Sequence, residues 1–243
     1  MSKEQPVALV TGGSVGIGAQ ICDDLRGRGY YVLNLSLTKP TKQHDGQRDV
    51  EVDLADVAAT ARVVTELASE YEITNVVHNA GVIRAALLED VALEDVQYLV
   101  DLHIKATITI VQATLDAMKR ANFGRIVIIS SRAVLGLETR SGYSATKAAQ
   151  LGLVRTWAME LGKYGVTVNA IAPGPIVTDM FTAVVPEGSE QAGRIADSLP
   201  VKRLGKPGDI SRVVSFLLEP ENGFITGQCV FVCGGASLGS LSL

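Results

Sequence analysis

Tyr143 and Lys147 stand four residues apart in the run Gly142-Tyr143-Ser144-Ala145-Thr146-Lys147-Ala148-Ala149, a spacing that stacks a phenol and an ammonium on one helix face. A phenol beside a fixed cation can give and take a proton near neutral pH. At about 4 Å and an effective dielectric of about 20 the attraction favouring phenolate is about 4 kcal/mol. That bounds the effect at roughly three units off a tyrosine pKa of about 10, because the lysine's own charge suffers when desolvated. With 6 tyrosines in 243 residues, a Tyr-x-x-x-Lys arises by chance in roughly one such chain in five. An ordinary helix face is therefore the alternative, and the surrounding elements have to carry the argument.

The first of those elements is N-terminal. Val7-Ala8-Leu9-Val10 reads as a buried strand and runs straight into Thr11-Gly12-Gly13-Ser14-Val15-Gly16-Ile17-Gly18, followed by apolar residues at helical spacing, Ile17, Ile21, Cys22 and Leu25. Strand, glycine turn and helix stand in the order a phosphate site needs. Gly12 would permit the tight turn, Gly16 would let a pyrophosphate approach the backbone, and Gly18 would let the helix pack closely on the sheet. The free N–H groups and positive dipole end of the helix would then meet the phosphates. A purely structural turn is the alternative.

Further along, strand patterns at Val7 to Val10, Tyr31 to Leu35, Val50 to Val52, Asn75 to His78, Arg125 to Ser130, Val166 to Ile171 and Gln228 to Val232 alternate with helical ones. The helices fall at about Gly16 to Arg28, Val57 to Tyr71, Leu93 to Ala121, Tyr143 to Lys163 and Gly208 to Leu218. Such alternation predicts an α/β fold, one doubly wound parallel sheet of about seven strands with helices on both faces. A single domain over residues 1–243 is the simplest organisation. Thr38 to Arg48 reads as a loop. Asp179 to Lys202, with Pro186, Gly188 and Gly193, is long enough to be a substrate lid.

The chain is 47% hydrophobic with a formal net charge of -4 and no Lys/Arg run, which leaves a nucleic-acid or anionic-membrane surface unsupported. No stretch is apolar for long enough to span a bilayer, and Met1 to Pro6 lack the apolar centre of a secretory signal. Cys22, Cys229 and Cys233, with His44, His78 and His103, show neither a disulfide framework nor metal spacing. A reducing, cytoplasmic location without a structural metal is the expectation.

Together these residues resemble the short-chain dehydrogenase/reductase family, and its 3-oxoacyl-carrier-protein-reductase-like branch in particular. The resemblance spans nearly the whole chain. It rests on the glycine loop, Asn79-Ala80-Gly81, Ile129-Ser130-Ser131, Tyr143-x-x-x-Lys147, Pro173-Gly174-Pro175-Ile176-Val177-Thr178 and Ile225-Thr226-Gly227-Gln228, in the family's order. It implies a Rossmann-type domain that binds NAD(H) or NADP(H) and moves a hydride between nicotinamide and a carbonyl or alcohol carbon. Carried over, Tyr143 is the acid/base, Lys147 lowers its pKa and holds the nicotinamide ribose, and Ser131 hydrogen-bonds the substrate oxygen. Ser131 matches the second serine of Ile-Ser-Ser but lies twelve residues before Tyr143. Ser130 fits the family's commoner spacing and stays an alternative. His103 occupies the place of an asparagine that holds a proton-relaying water, so it either takes part as a modified relay or simply fills the space.

For the cofactor, Gly12, Ser14, Val15, Gly16, Ile17 and Gly18 would hold the pyrophosphate. Asp53 and Leu54 would contact adenine, and Asn79, Ala80 and Gly81 would flank its ribose. Pro173, Gly174, Ile176 and Thr178 would line the nicotinamide, with its carboxamide on Ile176 and Thr178. Ser36 stands where NAD users carry an aspartate. That missing carboxylate, with Thr38 and Lys39 beside it, favours NADP(H), with NAD(H) the alternative. The interval from Ser36 to Asp53 is short for the family, as though a helix were lost.

The substrate is less determined. Arg132, Val134, Leu135, Arg140 and the lid are the discriminating positions, and Met180, Phe181, Val184 and Val185 point to a small or medium apolar ketone or secondary alcohol, cyclic ones included. A carrier-bound 3-oxoacyl thioester is the runner-up, needing a basic entrance to which Arg125 and Lys163 could contribute. A dinucleotide-sensing binding protein that has lost catalysis is a reading of another class, motivated by His103. The family also implies a homotetramer, although Cys233 stands where its members often carry an aspartate.

Overall fold

The computed structural model describes residues 5–238. Seven strands form one parallel sheet in the order β3-β2-β1-β4-β5-β6-β7. They are β1 (Val7–Thr11), β2 (Tyr31–Ser36), β3 (Gln47–Glu51), β4 (Ile73–His78), β5 (Gly124–Ile129), β6 (Val166–Pro173) and β7 (Cys229–Val232). Every pairing is parallel, so the doubly wound sheet read from the sequence is the one observed.

Strand alternation builds two cores. Leu9, Leu33, Leu35, Val76, Ile126, Ile128, Val168 and Ala170 face one layer with α2 (Val57–Glu70), α4 (Ala106–Ala121) and α5 (Ser141–Leu161). Their neighbours Ala8, Val10, Val32, Val77, Val127, Ile129 and Ile171 face the other with α1 (Gly16–Gly27) and α8 (Pro207–Leu218). Because β1 lies between β2 and β4, the chain's direction of progress reverses there. A crevice opens at the carboxyl ends of β1 and β4, where ligands of open α/β sheets bind.

Three elements depart from the sequence reading. β3 starts at Gln47, inside the segment read as loop, and β2 joins it through residues 37–46 with no helix between. The helix expected over Leu93 to Ala121 is broken into α3 (Leu93–Val100), a widened π-helical turn at Asp101–Lys105, and α4. The Asp179 to Lys202 segment is not bare loop either. It holds α6 (Asp179–Thr182) and α7 (Glu190–Ser198), started by Thr178 and Ser189, whose hydroxyls accept from the N–H groups of Phe181 at 3.4 Å and Ala192 at 3.2 Å.

Candidate active site

The glycine loop is fixed by sterics on every side. Gly12 and Gly16 have φ of +66° and +57°, conformations that favour glycine. A Cβ on Gly18 would stand 1.9 Å from the Gly12 carbonyl oxygen, so only glycine lets α1 start this close to the strand. Thr11 braces the loop from beneath: its hydroxyl accepts from the backbone N–H of Asn79 at 3.0 Å and Ala80 at 2.9 Å. The Asn79 amide donates to the Thr11 and Gly12 carbonyls, each at 3.1 Å. Asn79 is thus a strut of the loop as well as a neighbour of the crevice.

This cradle fits a dinucleotide. Val15 caps α1 without any side-chain hydrogen bond, and the first turn carries no acidic residue. The N–H groups at the start of a twelve-residue helix are left for an anion. Exposed Val15 and half-buried Ile17 flank that opening, and a Cβ on Gly16 would come within 3.3 Å of Thr178 across it. Pro173 ends β6, and Gly174 is pinned by its N–H to Val232 at 3.1 Å. Ile176 is buried in the core, so only its backbone can serve a carboxamide. Thr178 lies at the start of α6.

At the adenosine end, sequence reasoning missed Asn34. Its Oδ1 accepts from the Gly13 N–H and the Ser36 hydroxyl, both at 2.8 Å, and its amide donates to Asp49 at 2.7 Å and Ser14 at 3.2 Å. A polar residue between buried Leu33 and Leu35 was the available signal. Ser36 spends its hydrogen on Asn34, so it can accept from a ribose hydroxyl but has nothing to give a phosphate. Ser14 in turn donates to the Thr38 carbonyl at 2.6 Å. Thr38 and Lys39 are exposed at the rim. Asp53 is exposed and accepts from Ala55 N–H at 2.9 Å, while the Leu54 side chain is buried in the core.

At the other end of the crevice α5 brings Tyr143 and Lys147 against the end of β5. The Lys147 ammonium is buried, donates to the Ile129 carbonyl at 2.8 Å and lies 5.8 Å from the Tyr143 ring centroid. With no carboxylate among the described residues to compensate it, desolvation pushes its pKa down to about 7. Burial likewise pushes the Tyr143 phenol above its ordinary value, while the Ser131 hydroxyl and the Arg140 guanidinium pull it back. In the chain alone, Ser131 and Arg140 are the groups that pull the phenol back, while Lys147, to which the spacing points, is turned to a carbonyl. The ammonium sits on the aromatic side and is spent on a carbonyl. The two serines separate cleanly. Ser130 is buried and donates to the Lys147 carbonyl at 2.9 Å, whereas Ser131 is the one beside the phenol.

His103 is buried in the π turn, edge-on to Tyr143 with ring centroids 5.7 Å apart. Its Nδ1 lies 2.9 Å from the Thr146 hydroxyl. Thr146 donates its own hydrogen to the carbonyl of Gly142 or Tyr143, so it can only accept from His103. The imidazole is therefore protonated on Nδ1 and bare on Nε2. That bare nitrogen has no partner and shares with Lys147 the open face of Gly81, where a Cβ would stand 3.0 Å from Nε2 and 3.3 Å from Nζ. Burial, Lys147 and His78 hold the His103 pKa down to about 2.

Known proteins resemble this chain over nearly its whole length. Residues 12–237 match a family model described as enoyl-(acyl carrier protein) reductase. The acetoacetyl-CoA reductase of Shinella zoogloeoides is 35% identical over 94% of this chain and 97% of its own. The 3-oxoacyl-[acyl-carrier-protein] reductase of Escherichia coli is 31% identical over 97% and 98%. The chain is a short-chain dehydrogenase/reductase. It is accordingly an NAD(P)-dependent oxidoreductase that interconverts a ketone and a secondary alcohol. Among solved structures, the ligand-free aldohexose dehydrogenase of Thermoplasma acidophilum superposes with a TM-score of 0.90 at 27% identity, covering 98% of this chain and 96% of that one. ElxO with NADP bound gives 0.88 at 26%, covering 95% and 98%.

This member of the family has a C-terminal wall that the sequence reading did not assign to the site. Gly234 and Gly235 have φ of +61° and +88°, and a Cβ on Gly235 would meet Pro200 at 2.4 Å. The turn they make packs on Pro200 and Val201, and the Ala236 carbonyl lies 3.4 Å from Arg132 Nη1. Cys233 is buried within it, beside Ser237 at 3.2 Å. The Gly234-Gly235 pair was the signal.

Proposed function

We propose that this oxidoreductase uses NADP(H) in preference to NAD(H) and reduces or oxidises a small or medium substrate through Ser131, Tyr143 and Lys147. The convergence of these three side chains at the carboxyl edge of the sheet, beside an uncapped helix N-terminus, carries the reading. When bound, the nicotinamide supplies or takes up the hydride. Ser131 donates a hydrogen bond to the substrate oxygen and sets it against the phenol. Tyr143 gives that oxygen a proton in reduction and removes it in oxidation. The two Lys147 hydrogens not held by Ile129 donate to ribose hydroxyls. His103, neutral throughout, keeps Nε2 free beside Lys147 to accept from a donor that enters the site. It does not titrate.

NADP(H) preference is supported by the exposed Lys39 and Thr38 at the rim, by the absence of a carboxylate at Ser36, and by the NADP found in the similar ElxO. Exposed Met180 and Val184 and half-buried Phe181 supply an apolar wall from α6 and the turn after it. Val185, expected in that wall, is buried in the interior. The alternative is reduction of a 3-oxoacyl thioester, as in the acetoacetyl-CoA and carrier-protein reductases above. Arg125, expected to help such a substrate in, starts β5 at the opposite end of the sheet and is caged by the carbonyls of Gly124 and Pro220. Lys163 follows α5 at that same end. Three free thiols support a reducing, cytoplasmic site of action, and among the described residues no helix is long and apolar enough to cross a membrane. The family's habit supports a homotetramer, which light scattering reads directly.

A panel of cyclic ketones and 3-oxoacyl thioesters, followed by nicotinamide absorbance with both dinucleotides, tests the reading. Turnover in the wild type and a loss of about 10²- to 10⁴-fold in Tyr143→Phe with NADPH binding retained is expected. NADPH binding without hydride transfer to any carbonyl would instead favour the sensing protein.

A further inference from the structure

Arg140 is a cation at the reaction centre that none of these steps uses. It is the N-cap of α5, one turn ahead of Tyr143, at a separation where side chains three apart share a face about 5 to 6 Å from one another. The location disfavours a cation. It is the positive end of a 21-residue helix, whose first turn has no acidic residue to compensate.

The guanidinium is also under-used. Its Nε is buried without a hydrogen-bond partner, and Nη1 reaches only the carbonyl, at 3.3 Å, and the hydroxyl of the adjacent Thr139. Among the described residues it forms no ion pair. Two other arginines packed into the fold are better served. Buried Arg125 donates to Gly124 at 2.9 Å, Gly165 at 3.2 Å and Pro220 at 2.8 Å. Arg84 pairs with Asp95 at 3.3 Å and lies over Tyr98. Arg132, directly after Ser131, is a second half-buried guanidinium without an ion pair, touching only the Ala236 carbonyl. A chain with a net charge of -4 thus keeps two uncompensated cations next to its serine and tyrosine. The Arg140 charge is near enough to act on the Tyr143 phenol.

We propose that the substrate carries a carboxylate a few carbons from its reacting carbon, and that Arg140, assisted by Arg132, is the specificity-determining residue that holds it. The inference rests on the oxidoreductase reading and narrows its substrate to a short oxo or hydroxy acid. A planar fork of donors matches a carboxylate with two parallel bonds. The one-turn spacing from Tyr143 fits an anion on the substrate's own short skeleton, not a phosphate at the far end of a carrier arm. Met180 and Val184 then cover the apolar remainder.

The test uses NADP(H)-loaded protein with 3-oxobutanoate and 4-oxopentanoate, each beside its methyl ester. At least one acid is expected to exceed its ester about tenfold or more in kcat/KM. Arg140→Met is expected to cut that ratio about 10- to 100-fold, with Arg140→Lys retaining part of it. A merely structural role, or one exerted through the Tyr143 pKa, would change acid and ester together. Equal acid and ester kinetics in the wild type, or an unchanged ratio in Arg140→Met, overturns the proposal, while ester turnover alone leaves the oxidoreductase reading standing. Calorimetric titration of the same pairs into cofactor-loaded Tyr143→Phe protein reads the site without turnover. Acid binding that is lost in the Arg140→Met double variant supports the proposal. Acids that bind no better than their esters overturn it.

Discussion

The proposed acid/base pair, Tyr143 and Lys147, is held in a less activated state than its spacing implies. Lys147 is buried against a carbonyl, and burial raises the Tyr143 phenol while Ser131 and Arg140 pull it back. His103 adds a neutral acceptor locked by Thr146. In His103→Asn, kcat is expected to fall about tenfold, the scale of one hydrogen bond to a charged group. The pH profile between pH 5 and 8 should keep its shape, because the imidazole does not titrate there. An unchanged kcat would leave His103 a space-filler. Lys39 is the side chain proposed to favour NADP(H). Lys39→Ala should weaken NADP⁺ binding about tenfold or more and leave NAD⁺ unchanged, measured by fluorescence titration of each. Equal effects on both would mean that Lys39 is only a solvated charge.

At the scale of elements, the glycine loop and α1 act as one unit, since Thr11, Asn34 and Asn79 tie the loop to β1, β2 and β4. Gly18→Ala forces a methyl into the Gly12 carbonyl and must push α1 away from the sheet. A loss of about 1 to 3 kcal/mol in urea denaturation is expected together with most of the dinucleotide affinity. Retention of both would show that the helix can shift without cost. The π turn does the same service on the other side of the crevice. It seats His103 between α4 and α5, where the His103 carbonyl accepts from Thr107 at 2.7 Å and Gln150 at 3.0 Å.

For the whole molecule, the sheet buries three titratable groups beneath the site, and this links stability to pH. Burial, with Lys147 beside it, holds His78 down to about 3, and His103 lies at about 2. The unfolded imidazoles titrate near 6.5. Below that pH the unfolded chain binds protons that the folded one refuses, so stability falls as pH drops, by about 2 kcal/mol per histidine at pH 5. Lys147 acts in the same direction from about 7 to 10.5, because the unfolded ammonium keeps a proton that the folded one has lost. Thermal denaturation of cofactor-free protein should therefore show Tm falling from pH 7 to pH 5, with His103→Asn removing about half of the slope. An unaltered slope in that variant would mean that its imidazole is protonated in the folded protein.

Local pattern was enough for the strands, most helices, the glycine loop and the Tyr143 and Lys147 pair. Each follows from backbone sterics or from apolar periodicity within a few neighbouring residues. The loop in place of a helix between β2 and β3 was legible from the short interval alone. Tertiary structure decided what depends on residues distant in sequence. It separated Ser131 from Ser130 through the Lys147 carbonyl, set the His103 tautomer through Thr146, and withdrew the Ser36 hydrogen to Asn34. It carried Arg125 to the far end of the sheet and left Arg140 uncompensated beside the phenol. Hydrogen-bond partners and desolvation belong to the assembled layers, and no spacing along one strand or helix encodes them.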